Sequence, residues 1–301
     1  MNPSSSLFQF SSFEETNLLC LTDFTELLSS SSPKRSQALL SSEDLQRVET
    51  IRISYAQRIE LGEIVTVLTY TDILWIPFLA ARDGLPWNPS IHTTTLLQHI
   101  NSRSVSALRL LTFFKQIPEF DQLNVEDKVT LVKYNLTPLF ILNNTLSYNI
   151  ETDQIKETDS DVPWDTDMLQ KVHGTAVYSQ AKKIFDSFVR IAQYDQRIIQ
   201  LVLIVLILTK GFSTDADAGE PVLNDGIAVY RAQNYYIELL WKYMETVHGL
   251  GKSISIFNEL VAHFISWQTL EKELRLNLSQ HLTSEDKKEL LPIMKSLLHI
   301  P

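Results

Sequence analysis

Few residues in this chain have both the type and the spacing to do chemistry. The densest set is a stripe at helical spacing: His99, Ser102, Arg103, Ser106 and Leu110. Leu96, Leu97, Ile100, Val105, Leu108 and Leu111 run alongside, so Thr93 to Gln116 predicts one long helix with an apolar face and a mostly polar one. Turned outward, the polar stripe is an ordinary solvent face. Turned inward, it suits a molecule carrying an acid or a hydroxyl group, because a buried Arg103 needs such a partner. Spacings that support catalysis are missing: there is no GxSxG, HExxH or CxxC, and the histidines and acids show no metal-ligand spacing, so no enzyme and no cofactor is expected. Gly251-Lys252-Ser253 ends like a phosphate-binding loop. Thr246 stands where its first glycine belongs, and a helix rather than a strand precedes it, so no phosphate cradle is implied.

Composition narrows the classes further. The 301 residues carry a net charge of −10, and a nucleic-acid surface needs a basic face, so no direct nucleic-acid contact is expected. A single cysteine, Cys20, excludes an internal disulfide framework and a cysteine zinc cluster. The first basic residue is Lys34, so no signal or transit peptide is expected. The longest apolar run, Ile198 to Leu208, is too short to span a bilayer and reads as a buried core helix, so no membrane contact is expected.

Two regions are expected: a flexible serine-rich arm over residues 1–41 and one domain over 42–301. Within the arm, Phe24, Leu27 and Leu28 have the FxxLL form that places three apolar groups on one face of a short helix. Helices are predicted from Ser42, from Asn124 to about Leu146 with Pro138 inside, and over Val172 to Tyr194. Further helices are predicted over Asp195 to Lys210, Ile227 to Val247 and Ile254 to His281, with a last segment capped by Thr283 or Ser284. Tyr148 to Asp167 is acidic, with Ile150, Ile155, Val162 and Trp164 as possible strand residues.

The most specific stretch is Leu111 to Tyr134. Pro118 ends one helix, Asn124 caps the next, and Phe113, Phe114, Ile117, Phe120 and Leu123 cluster at the turn between them. This stretch resembles the signature of the nuclear receptor ligand-binding domain, matching it at Phe113, Lys115, Pro118, Phe120, Leu123, Asp127, Leu131 and Lys133. It departs at Phe114, where the family has a small residue, at Glu119, where it has glycine, and at Lys128, where it has glutamine.

The resemblance implies an all-α fold, a three-layer antiparallel α-helical sandwich of about ten to twelve helices with a small β-hairpin. It implies a ligand-binding domain without a zinc-finger DNA-binding domain, acting in the nucleus to regulate transcription. The ligand would be small and lipophilic. By alignment it would meet His99, Ser102, Arg103, Ser106, Leu110, Thr137, Phe140, Asn143, Asn144 and Ser147. In the long helix from Ile254, the family's ligand-contacting position falls on Leu274, and His263 and His281 read as surface residues. Coregulator helices, of LxxLL type or from a corepressor, would dock in a groove marked by Lys115, Lys133, Ile293, Met294, Leu297 and Leu298. The same long helix would form a dimer interface, with a second copy or with a retinoid-X-type receptor. The competing reading is a ligand-free all-α interaction scaffold, acting as a dimerisation partner or repressor.

One departure has chemical content. The family grips a docked helix at both ends of its dipole, with a glutamate near its N-terminus and a lysine near its C-terminus. Here Lys115 supplies the cation, but Ser296 stands in the glutamate position and Lys295 adds charge of the wrong sign. Weak docking of LxxLL helices is therefore expected. Ser296→Glu should tighten binding of an LxxLL peptide by about three- to tenfold in fluorescence anisotropy, and an unchanged affinity would remove the clamp argument.

Overall fold

A computed structural model describes residues 40–68, 95–152, 154–155, 165–210, 220–298 and 300. Its elements in chain order begin with α1 (Ser42–Leu68), α2 (Leu96–Ser102), α3 (Ser104–Lys115), α4 (Pro118–Asp121) and α5 (Val125–Ser147). A two-stranded hairpin follows, β1 (Tyr148–Asn149) and β2 (Gln154–Ile155), antiparallel with Tyr148 opposite Ile155. The chain continues with α6 (Thr166–His173), α7 (Thr175–Tyr194), α8 (Gln196–Ile207), α9 (Gly226–His248), α10 (Leu250–His281), α11 (Ser284–Glu289) and α12 (Pro292–Leu297). The fold is all-α. The FxxLL segment of the arm and the possible strand residues Val162 and Trp164 lie outside the described residues.

Helix α8 explains the layering. Ile198 to Ile207 are buried without exception, including Gln200, so this helix is apolar on every face and must be covered on every side. It packs against α1, α5, α7 and α9. Helices α1 and α3 pack together on one side of the α5, α8 and α9 tier, and α7 and α10 pack together on the other. Each fully buried Leu, Ile or Val contributes about 1.5–3 kcal/mol relative to exposure, so this tier dominates the stability of the core.

The ends of the elements follow local chemistry. Asn124 caps α5 by accepting from Asp127 N, and Thr283 and Asp286 form a reciprocal capping box on α11. Gly174 and Gly249 have φ of 75° and 76°, a left-handed backbone that favours glycine, and each ends one helix and starts the next. Two predicted boundaries are corrected by these glycines. Val172 to Tyr194 is not continuous but breaks at Gly174 into α6 and α7, and α10 begins at Leu250, directly after Gly249, rather than at Ile254. The predicted helix from Thr93 to Gln116 is likewise two helices, α2 and α3, meeting at Arg103. There the Ser102 hydroxyl donates to His99 O at 2.8 Å, and Arg103 N turns to Asn101 O and Ile100 O, which closes the first helix early.

Buried polar ties fix how the tiers meet. Tyr55 OH of α1 donates to Asn143 Oδ1 of α5 at 2.7 Å, and Asn143 Nδ2 donates to Ser106 Oγ of α3 at 3.2 Å. Glu119 accepts from Arg47 and from Tyr236 OH, which joins α1, α4 and α9. The residue that departs from the family's glycine thus anchors three elements. Asp195 Oδ2 accepts from Tyr243 OH at 2.6 Å and lies 3.0 Å from His248 Nε2, tying the start of α8 to the end of α9.

Asp127 carries the most concentrated tie. Its carboxylate accepts from Asn224 N at 2.7 Å, Asp225 N at 2.9 Å and Asn124 Nδ2 at 2.8 Å. Burial alone pushes its pKa up, but these donors outweigh burial and hold it below the usual carboxylate range. A carboxyl lowered on folding adds stability above its unfolded pKa and loses that stability as pH falls through its native pKa. Asp127→Asn is expected to cost about 2 kcal/mol in urea unfolding at pH 7. The gap from the unaltered protein should close as pH is lowered below about 4. A gap independent of pH would mean that the carboxylate charge contributes nothing.

Candidate functional site

A cavity of about 190 Å³ lies where α2, α5, α10 and α12 meet the hairpin and the α6–α7 pair. His99, Ile100 and Arg103 come from α2 and the break after it. Thr137, Phe140, Ile141 and Asn144 come from α5, and Tyr148 and Ile155 from the hairpin. His173, Tyr178, Lys182 and Phe185 line it from α6 and α7, and Trp267, Glu271, Leu274 and Arg275 from α10. Met294, Leu297 and Leu298 close it from α12 and the residue after it. Most of this wall is hydrocarbon.

Among the ten residues aligned with a ligand pocket, the structure places His99, Arg103, Thr137, Phe140 and Asn144 on this wall. The other five lie elsewhere. Ser102 is occupied in closing α2, Ser106 and Asn143 belong to the tie with Tyr55, Leu110 sits in the main apolar core, and Ser147 ends α5. The break at Arg103 explains part of this. A stripe holds one direction along a continuous helix but loses its phase across a break, so Ser106 and Leu110 no longer follow His99 and Arg103.

Sequence reasoning missed Trp267, Glu271, Arg275, His173, Tyr178, Lys182 and Phe185. Trp267, Glu271, Leu274, Arg275 and Leu278 recur at the spacing of one helix face, which was the available signal. Leu274 does line the cavity, while His281 Nδ1 is bonded to Asn277 O and His263 packs edge-on against Phe188.

Two polar groups on the wall, Arg103 and His173, are strongly perturbed. Arg103 is 4% exposed, and burial pulls its pKa down to about 10, which leaves it cationic at neutral pH. Burial, with the nearby His281, pushes His173 down to about 4, so it is neutral there. Glu271 and Arg275, both buried, lie 3.7 Å apart one helical turn from each other. Lys182 pairs with Asp186. Trp267 Nε1, Asn144 Nδ2 and His173 Nδ1 are buried and have no hydrogen-bond partner among the described residues. The arrangement is suited to holding an apolar body with a polar group.

The six residues aligned with a coregulator groove divide in two. Lys115 and Lys133 are exposed at the surface, whereas Ile293, Met294, Leu297 and Leu298 are buried in a second apolar cluster with Ile100, Leu136 and Phe140. Ser296, on the same short helix, is half-buried. The seat of α12 is held by polar contacts: Asn101 donates to Glu289 O and accepts from Leu291 N, and Thr137 Oγ1 donates to Leu297 O at 3.0 Å. Lys295 Nζ donates to Lys288 O at 3.1 Å, near the C-terminal end of α11, where a cation is favourable. Val125 and Val129, one turn apart at the start of α5, are 56% and 50% exposed beside Lys133.

Among the described residues no helix is long and apolar enough to cross a membrane. No protein-family model matches the chain. Among curated proteins, the chain is similar to "Nuclear hormone receptor HR96" of Drosophila melanogaster, 25% identical over 186 residues. That match covers 60% of this chain and 24% of the relative, so the chain spans about a quarter of the length of the curated protein it matches. The similarity supports a nuclear-receptor-like domain.

The buried pair on α10 makes a direct prediction. Glu271→Leu leaves Arg275 buried without its neighbouring carboxylate and is expected to cost about 3 kcal/mol in urea unfolding. The double variant Glu271→Leu with Arg275→Met should recover most of that loss. Equal losses in both would show that packing, not charge, governs this wall.

Proposed function

We propose that the chain is a nuclear-receptor-type ligand-binding domain that regulates transcription by holding a small lipophilic ligand and recruiting coregulator proteins. The observation that carries this reading is the identity of the cavity's last wall. Met294, Leu297 and Leu298 line the cavity from the short C-terminal helix whose family counterpart governs coregulator docking. A molecule in the cavity therefore touches the element that a coregulator helix reads.

The coregulator surface of this reading runs between Lys115 and Lys133 over the exposed Val125 and Val129. An LxxLL-type or corepressor helix buries apolar groups there and presents its carbonyl end to the lysines. Dimerisation, with a second copy or a retinoid-X-type receptor, falls to α10, which leaves Leu250, Ile254, Ile265 and Leu276 exposed. The working compartment is the nucleus, and DNA is reached through a partner or through a portion outside this sequence.

The second reading, a ligand-free interaction scaffold, is favoured by one observation. The cavity's volume of about 190 Å³ falls short of the roughly 300–1,000 Å³ usual for pockets that hold drug-sized ligands.

Native mass spectrometry of the full 301-residue chain, compared with its denatured mass, separates the two. Extra mass lost on denaturation is the expected result and supports ligand binding. A bare chain that stays bare after incubation with a cell lipid extract supports the scaffold.

A further inference from the structure

We infer, on the reading that the cavity holds a ligand, that its occupant is a compact lipophilic carbonyl compound whose oxygen is received by the Trp267 indole N–H, with the Asn144 amide as second donor. Trp267 of α10 and Asn144 of α5 are 4% and 2% exposed, and both line the cavity. Trp267 Nε1 and Asn144 Nδ2 have no hydrogen-bond partner among the described residues. Both atoms only donate, so the group that satisfies them is an acceptor. Buried donors are almost always paired, and two open ones on one small cavity mark where a ligand's acceptor belongs.

The form of the acceptor follows from what it does not bring. A carbonyl oxygen has two lone pairs and no proton, so it can take two hydrogen bonds and adds no donor of its own. An alcohol or an amine brings at least one further proton, and each costs free energy when buried against hydrocarbon without an acceptor. Hydrocarbon is most of what the cavity offers: Ile100, Phe140, Ile141, Leu274, Leu278 and Met294 all line it. That lining selects an apolar body, and the volume of about 190 Å³ selects a compact one. Away from water, the bond between indole and carbonyl is electrostatically stronger than the same bond at a surface.

The test uses 2-decanone and 2-methyl-1-decene, which differ only in C=O against C=CH₂. Each is titrated into the full chain and into Trp267→Phe and Asn144→Leu, with circular dichroism melts confirming that each variant folds. The hydration of a probe is the same whichever protein it meets. The ratio of the two affinities, compared between variants, therefore isolates the bond to the oxygen. In each variant the preference for the ketone over the alkene is expected to fall about three- to tenfold. In proton–nitrogen correlation spectra of the unaltered chain, the indole signal that Trp267→Phe removes should move downfield with the ketone and not with the alkene. A ratio unchanged by both variants, or an indole signal that the two probes move alike, overturns the carbonyl assignment while the ligand cavity stands. If neither probe binds and native mass spectrometry also finds the chain bare, the cavity reading fails together with the carbonyl. If neither probe binds but a molecule is retained, its composition decides: a carbonyl supports the assignment, and a molecule without one overturns it.

Discussion

Helix α8 has no face that tolerates water, and that single constraint arranges the rest of the molecule. A helix apolar all round can persist only when other helices surround it. Here α1, α5, α7 and α9 do so, and their own outer faces then call for α3 on one side and α10 on the other. Three tiers are the consequence of enclosing one element. The cavity lies toward the end of α5 and α10 away from this enclosure, where the second apolar cluster of Ile100, Leu136, Phe140 and the α12 residues packs separately from the main core.

Burial alone does not choose how helices slide past one another. The polar ties do that here, and they sit at helix ends or where three elements meet. Asp127 joins the start of α5 to the start of α9, Asp195 joins the start of α8 to the end of α9, and Asn143 joins α5 to α1 and α3. Each must be fully bonded to be tolerated, so each penalises any other register. The walls of the cavity are positioned by these ties at second hand, because α5 carries both Asn143 and its neighbour Asn144.

What could be read in advance was local. Asn124, Thr283 and the apolar run of α8 announce themselves through groups within four residues of one another, and the structure places them as their chemistry requires. The hairpin register between Tyr148 and Ile155 and the breaks at Gly174 and Gly249 depend on backbone angles that composition only hints at. The cavity was half legible. His99 and Arg103 precede the break at Arg103 or form it, so their direction survived, whereas Ser106 and Leu110 follow it. Glu271 and Arg275 were hidden for another reason. Opposite charges one turn apart on a long helix usually sit in water, and only their place on the face shared by Trp267, Leu274 and Leu278 distinguishes this pair from such a surface pair.

Helix α12 has six residues, far fewer than an isolated helix needs to persist in water. Its helical state therefore depends on its seat: on Asn101, on Thr137 and on the apolar cluster beneath it. Winding and seating are then one event rather than two, and the wall made by Met294, Leu297 and Leu298 exists only while that event holds. The amide of Leu298, bonded to Met294 O, is a built-in clock for it. Its rate of deuterium uptake measures how often this side of the cavity comes apart.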